Sequence, residues 1–200
     1  MKKIIAMLLV AVSTLCASAK GEQYMTLEGG VGVASMSKLD SRTGFHLGAI
    51  AEFPLANVDD GGYVNIGVLF KLKGAEKEYS GLEAKVNQYC FEVPLHIGYR
   101  YRFNPGFALF GEMGPYFGIG LFGKTWAKSG NEKVKADTYS DLGGVKRFDF
   151  GMGFKIGAEV AGCVPIAIGY DFGVLNVNKD GEPAMRNSYL SFSVGYRFSL

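Results

Sequence analysis

The 200-residue chain contains 29 glycines, 15 phenylalanines and 11 tyrosines, only 20% of its residues are charged, and its formal net charge is +2. This composition is rich in turn and strand formers and poor in helix formers, which favours a single all-β domain. The small net charge gives no electrostatic footprint for nucleic acid, so we expect no nucleic-acid partner.

The start of the chain has the features of an export signal. Two lysines precede an apolar segment at residues 4–15, and an A-S-A cleavage pattern follows at residues 17–19. We therefore predict a signal peptide at residues 1–19 and one domain at residues 20–200. Beyond the signal no apolar run of 18 or more residues remains, so we expect no helical membrane span.

Eight segments of the remaining chain alternate between apolar and other residues with the period of two that an extended strand requires. In chain order they are residues 23–36, 44–54, 63–73, 89–103, 107–123, 147–161, 164–174 and 186–200. The fourth is the clearest, because every second residue from Tyr89 to Phe103 is apolar or aromatic. Phe91 and Tyr99 bound an aliphatic span of about 20 Å after strand tilt, which is close to the apolar band of an outer-membrane barrel.

The lengths of the predicted connections alternate. Links after the odd-numbered strands run about 7, 14, 23 and 11 residues, whereas links after the even-numbered strands run about 8, 3 and 2. We therefore predict an all-β, eight-stranded antiparallel up-and-down transmembrane β-barrel whose apolar face points outward. A soluble lipocalin-type barrel is the alternative, but it would place seven acidic residues in an apolar cup.

The charged residues of the strands fall on the face opposite the apolar rows, and closure of the sheet would confine them to one interior. Near-equal numbers of opposite charges in a narrow space should pair, because an unpaired buried charge is costly. The predicted lumen ion-pair network comprises Glu28, Glu52, Lys71, Glu92, Arg100, Arg102, Glu112, Asp149, Lys155, Glu159, Asp171 and Arg197, with Lys73 beside them. We expect a salt-bridged plug that fills the interior, and an ion path with a ring of charges is the alternative.

We find no catalytic or metal-binding pattern in the sequence. His46 and His96 both fall on the predicted lumen face, and neither belongs to a Ser-His-acid or metal-ligand spacing. We therefore expect no enzyme activity, no cofactor and no metal. Cys90 and Cys163 lie near opposite ends of different predicted strands, so we expect two free thiols.

The two most distinctive connections are AEKEYSG at residues 75–81 and WAKSGNEKVKADTYSD at residues 126–141. Exposed loops on a rigid scaffold commonly carry binding, so an extracellular ligand is expected here. Trp126 is the only tryptophan of the sequence, and it either binds that ligand or anchors the barrel at the membrane interface. We favour the anchor.

Several pieces of the chain resemble a known family. They are FEVPLHIGYRYRF (91–103), GEMGPYFGIGLFGK (111–124), FDFGMGFKIGAEV (148–160), GYDFGVLNV (169–177) and LSFSVGYRFSL (190–200). Such pieces are similar to the small outer-membrane β-barrel proteins of the PorT-like group, which share the architecture of the OmpA and OmpX barrels. The resemblance implies a location in the bacterial outer membrane, and a PorT-type relative takes part in protein secretion.

The final piece also resembles the assembly signal of outer-membrane barrels. Its alternating row is Phe192, Val194, Tyr196, Phe198 and Leu200, with leucine where phenylalanine is usual. This resemblance implies recognition by the barrel assembly machinery.

We thus predict a monomeric outer-membrane barrel with a closed lumen, which acts as a structural or surface-recognition and adhesion scaffold through its long extracellular loops. The alternatives are a narrow ion or small-solute channel and an accessory component of protein secretion across the outer membrane. The expected partners are outer-membrane lipid, the barrel assembly machinery and an extracellular ligand at the loops.

Overall fold

The computed structural model describes residues 22–37, 39–55, 60–79, 82–129, 132–141 and 144–200. Within them the chain forms the strands β1 (Tyr24–Met36), β2 (Arg42–Pro54), β3 (Gly61–Tyr79), β4 (Leu82–Asn104), β5 (Phe107–Phe122), β6 (Lys124–Ser129), β7 (Glu132–Asp137), β8 (Phe148–Val160), β9 (Val164–Gly173) and β10 (Asn187–Ser199). No helix among these residues is long and apolar enough to cross a membrane. The predicted signal peptide lies outside the described residues.

Eight of the strands form a closed antiparallel ring. Their order is β3-β2-β1-β10-β9-β8-β5-β4, and pairing of β3 with β4 joins the two ends. Because closure pairs every ring strand on both sides, the wall has no free edge of the kind that invites aggregation. The predicted eight-stranded up-and-down barrel is confirmed, and all ring strands except β3 and β4 begin and end within two residues of their predicted bounds.

The connections define two rims of unequal character. Residues 55–60, 105–106 and 161–163 join strands at one rim, called the short-turn rim, where β1 begins and β10 ends. The long-loop rim carries residues 37–41, the β3–β4 hairpin, the segment between β5 and β8, and residues 174–186. This asymmetry agrees with the alternating connection lengths of the sequence.

Strands β3 and β4 continue well beyond the ring, so the prediction of a charged loop at residues 74–87 is wrong. The two strands stay paired up to Tyr79↔Leu82. The predicted connection between β5 and β8 also contains a hairpin, formed by β6 and β7, and β6 pairs with the distal part of β4. We call this four-stranded sheet, made of residues 74–79, 82–88, 124–129 and 132–137, the extension.

The outer face of the ring is apolar and carries two aromatic belts. Near the long-loop rim, the ring of Tyr89 stacks on Phe70 and Phe122, with centroids 6.0 and 4.7 Å apart. Near the short-turn rim, Tyr101 and Phe103 pack edge to face at 4.8 Å. An apolar band between two aromatic belts is the typical outer surface of a transmembrane barrel.

Candidate functional site: the lumen and its cover

The pleat of the ring strands directs alternate side chains into the interior. All twelve residues of the predicted network, and Lys73, have their side chains there, with most of them buried. Six basic and seven acidic side chains therefore share one narrow space. They form three groups, which are stacked from the short-turn rim to the long-loop rim.

The group nearest the short-turn rim joins three arginines to two glutamates. Glu52 accepts hydrogen bonds from both terminal nitrogens of Arg100, at 2.5 and 2.8 Å, and one from Arg197 at 2.7 Å. The fully buried Glu159 accepts a hydrogen bond from Arg102 at 3.0 Å. Its second oxygen lies 3.5 Å from Arg100 and 3.6 Å from Arg197. Bidentate, charge-assisted contacts of this kind restrict both partners to one geometry.

The middle group is centred on Glu112 of β5. Lys155 Nζ lies 2.9 Å from Glu28 and 3.5 Å from Glu112, so one ammonium group joins two carboxylates. The other oxygen of Glu112 accepts a hydrogen bond from Asn65 at 2.5 Å. His96 Nδ1 lies 3.5 Å from Glu112, which places this histidine within the polar network.

The group nearest the long-loop rim is centred on Glu92, which is almost completely buried. This carboxylate pairs with both Lys71 and Lys73. Lys71 also pairs with Asp171 at 2.6 Å, and Lys73 Nζ lies 4.0 Å from Asp149. Each lysine therefore bridges two carboxylates contributed by different strands.

Four tyrosines line the same interior, and sequence reasoning missed them. Each of them lies against one lumen cation, and a cation is attracted to the face of an aromatic ring. The distances from cation to ring centre are 3.4 Å for Arg197 and Tyr24, 4.9 Å for Arg100 and Tyr63, 4.5 Å for Lys73 and Tyr116, and 5.3 Å for Lys71 and Tyr189. Their position in the sequence could have predicted this, because each tyrosine lies an even number of residues from the polar residues of its own strand and therefore points to the same side.

The second predicted lumen histidine lies among these tyrosines. His46 is buried, and its Nδ1 atom lies 3.3 Å from the Tyr189 hydroxyl.

Within the described part of the chain, no group of three or more His, Cys, Asp or Glu side chains is arranged to hold a metal ion. Cys90 and Cys163 are free thiols, as predicted.

The charged groups leave little free space. Three cavities within the lumen have volumes of about 30, 20 and 10 Å³. A single water molecule needs roughly 10–15 Å³ by the same kind of measure, so each cavity has room for one or two water molecules. The side chains themselves therefore fill the interior.

An apolar cluster covers the long-loop end of the lumen. Its buried members come from β1, β3 and the longer connections, and they are Met36, Ala75, Tyr139, Val145 and Val177. Burial raises the pKa of the Tyr139 phenol, and the guanidinium of Arg147 lies 4.8 Å from the centre of its ring. Because all four connections at this rim contribute to or pack against the cluster, it closes the mouth above the charged groups.

The segments that the sequence singled out as distinctive loops are strands of the extension. Residues 75–79 belong to β3, residues 126–129 to β6 and residues 132–137 to β7, whereas residues 80–81 and 130–131 lie outside the described residues. Trp126 is half-buried, and Lys133 Nζ lies 4.3 Å from the centre of its ring.

The residues of the predicted assembly signal lie on β10 and at the end of the chain. Phe192, Val194, Tyr196 and Leu200 are well exposed on the outer surface, and the Leu200 backbone N–H donates to Gln23 at 2.9 Å. Their recognition by assembly machinery stays a prediction.

Solved structures of small outer-membrane barrels are similar to this chain. OprG from Pseudomonas aeruginosa is 13% identical, with a TM-score of 0.52 over 92% of this chain and 99% of that one. Neisserial surface protein A is 17% identical, with a TM-score of 0.47 over 88% and 97% of the two chains. Ail, the attachment invasion locus protein of Yersinia pestis, is 15% identical, with a TM-score of 0.46 over 88% and 99%. At these identities the likeness to OprG supports the fold alone.

The family of the chain follows from its sequence. No sequence among the curated proteins matches the chain. A family profile described as outer membrane protein beta-barrel domain matches residues 23–179, which is most of the chain. The closed ring, its aromatic belts and this match agree, and the protein therefore belongs to the outer membrane protein β-barrel domain family of the bacterial outer membrane.

Proposed function

We propose that this protein is a closed outer-membrane barrel that works through its extracellular surface as a recognition or adhesion scaffold. The observation that carries this proposal is the filled lumen, in which three ion-pair groups leave cavities of about 30 Å³ or less. A hydrated ion or small solute needs a continuous path, and such small cavities do not supply one. The filled interior therefore favours a structural role for the barrel, with any ligand bound at its extracellular surface.

The extension supports the second half of the proposal. Long loops of outer-membrane barrels face the outside, and here two of the four connections at that rim form a paired sheet beside an apolar core. A rigid surface loses less conformational entropy on binding than a mobile loop does, which suits recognition. The extracellular ligand contacts this sheet, and the barrel acts as a monomer without enzymatic activity.

The two alternatives make different demands on the structure. A narrow channel requires lumen side chains that leave a continuous path for an ion or a small solute. Here the lumen carboxylates are paired with cations across the interior, which does not favour such a path. A role in protein secretion, as the PorT resemblance implies, requires a partner in the envelope. Assembly of the barrel by the assembly machinery is part of the proposal in either case.

Single-channel conductance of the refolded protein in a planar bilayer tests the closed lumen. Folding is verified first, by the shift in gel mobility between unheated and boiled samples. We expect no stable openings from the wild type, and none from the Arg100→Ala and Glu112→Ala variants. Stable openings whose conductance changes in these variants would make the lumen the working part and would overturn the proposal.

A display experiment tests the recognition surface. Cells that display the full chain, or a variant in which residues 124–137 are replaced by a short glycine-serine turn, are tested for adhesion to polysaccharides and matrix proteins. We expect adhesion by the full chain that the variant loses, although both barrels show the heat-dependent gel shift. Equal adhesion by both would contradict a role for the extension.

A further inference from the structure

The outer side of the extension carries a lysine-rich surface. In the β6–β7 hairpin, Trp126 lies opposite Lys135 and Lys128 lies opposite Lys133. Residues directly opposite each other in an antiparallel pair share a face. We call the surface formed by Lys124, Trp126, Lys128, Lys133 and Lys135 the lysine face.

The lysine face continues the lipid-facing wall of the ring. In β4, Lys85 belongs to the same alternate row as Tyr89 and Phe91, which point outward, and Lys85 pairs with Trp126 of β6. Phe122 stacks on Tyr89 in the aromatic belt, and Lys124 follows it two residues later, roughly 7 Å along the strand. The lysine face therefore begins where the apolar band ends, at the level of the lipid headgroups.

The described acids near this face form no ion pairs with its four lysines. Within the described part of the chain, none of its four lysines makes an ion pair, whereas Lys85 pairs with Glu76 at 2.9 Å. Three acids with described side chains share this face of the extension: Asp137 lies opposite Lys124, Glu83 opposite Lys128, and Glu76 opposite Lys85. Lys133 and Lys135 have no acid opposite them, so unpaired positive charge remains along β7, next to Trp126.

We propose that the lysine face binds the phosphate groups of anionic lipid headgroups in the outer leaflet, with Lys133 and Lys135 as the main contacts. Lysine binds phosphate as a point charge, and clusters of basic residues next to a membrane-spanning segment attract anionic headgroups. Tryptophan prefers the same interfacial level, and continuity with the lipid-facing wall places Trp126 there. Lipid contact at the lysine face leaves the rest of the extension available to the extracellular ligand.

The single tryptophan makes this site measurable in the whole protein. The chain is refolded into phosphatidylcholine vesicles alone, into vesicles with added diphosphorylated lipid A, and into vesicles with an equal amount of a glycolipid without phosphate. Acrylamide quenching of Trp126 fluorescence reports how accessible the lysine face is to water. We expect lipid A to reduce the quenching at least twofold and the phosphate-free glycolipid to leave it unchanged. High salt should reverse the protection.

The double variant Lys133→Gln/Lys135→Gln tests the assignment and keeps the tryptophan. At about 1 kcal/mol per lysine, it should lower the apparent affinity for lipid A roughly thirtyfold. The matched control is Lys77→Gln/Lys146→Gln, which removes two exposed lysines from outside the lysine face. This control should behave as the wild type does. The heat-dependent gel shift verifies that every variant is folded.

Three results would overturn the proposal. The first is equal quenching with and without lipid phosphate, and the second is protection that survives in the Lys133→Gln/Lys135→Gln variant. The third is protection by soluble dextran sulfate without any effect of lipid A, which would assign the face to an external polyanion. None of these results affects the closed lumen, because conductance tests that separately.

Discussion

The ring and the extension share strands β3 and β4, but the apolar and polar faces of these strands are exchanged between the two regions. Along β4 the outward row is apolar through the ring, up to Phe91 and Tyr89, and becomes polar in the extension at Lys85 and Glu83. The inward row changes the other way, from the buried charge of Glu92 through the buried Gln88 to Val86, which packs on the apolar cluster above the lumen. The period of two is unbroken, and only the surroundings of each face have changed.

This inversion shows that the residue types on each face of a strand depend on what surrounds that face, whether lipid, water or protein interior, and not on the strand conformation. In the ring, lipid surrounds the wall, so charge is confined to the interior and must pair there. Beyond the apolar band, polar headgroups and water surround the wall, so the apolar side chains turn inward and form an ordinary core. The position of the change therefore marks the membrane boundary on the protein.

Loss of a buried lumen carboxylate should have the largest effect. Glu92→Ala leaves Lys71 and Lys73 without the carboxylate they share, and an uncompensated buried charge costs about 3–5 kcal/mol. Urea unfolding, followed by loss of the heat-dependent gel shift, measures the free energy of unfolding. In the extension, Glu76→Ala breaks the partly exposed pair with Lys85 and should cost less than about 1 kcal/mol. Similar costs for the two variants would contradict the distinction between the regions.

A charge on the outward row tests the same boundary from the lipid side. Ile97 lies near the middle of the apolar row of β4 and is well exposed, so Ile97→Lys should cost about 2–4 kcal/mol in the same unfolding measurement. The reverse change on the same row, Lys85→Leu, lies beyond the boundary and should cost less than about 1 kcal/mol. A tolerated lysine at position 97 would mean that lipid does not cover this part of β4.

The inward row of the extension should respond locally. Ala75 is fully buried in the apolar cluster, and Ala75→Asp should lower the stability of the extension by about 1–3 kcal/mol, because it buries a polar group among apolar ones. Amide hydrogen exchange of residues 74–87 should accelerate, whereas the gel shift of the ring stays unchanged. The exposed neighbour of the same row provides the control variant Lys77→Ala, which should leave exchange as it is.

The smallest effect should come from single hydroxyl groups. Tyr63→Phe keeps the ring beside Arg100 but removes the hydroxyl that donates to Glu112 at 3.3 Å, and should cost about 0.5–1.5 kcal/mol. In the cover, the Tyr139 hydroxyl has no hydrogen-bond partner among the described residues, so Tyr139→Phe should cost nothing. A larger loss at position 139 than at position 63 would show that the cover depends on this hydroxyl.

The ring could be predicted from the sequence because each strand repeats one simple pattern. Alternation located the ring strands, and the parity of Glu52, Arg100 and Glu159 was enough to place them in one interior. Their partners were not predictable, because which carboxylate meets which cation depends on the stagger between strands that are far apart in the sequence.

The extension escaped prediction for a physical reason. In the part of β4 before residue 88, the apolar residues lie on the opposite face from those of the ring. The apolar row of the ring therefore stops at this point, and the sequence pattern predicts the end of the strand although the strand continues. The pairing of β6 with β4 joins residues about 40 positions apart in the sequence, and no local sequence pattern predicts such a pairing. The register, and not the residue types, then placed Trp126 and the lysines on one face.

Accessibility scanning along the outward row of β4 tests the inversion most directly. Single cysteines at alternate positions from 83 to 103, in a Cys90→Ser/Cys163→Ser background, carry spin labels in bilayer-reconstituted protein. We expect labels at positions 89–101 to be accessible to oxygen from the lipid and shielded from a water-soluble nickel reagent. Labels at positions 85 and 83 should show the reverse. Oxygen accessibility that continues through position 85, or nickel accessibility at position 95, would contradict the account.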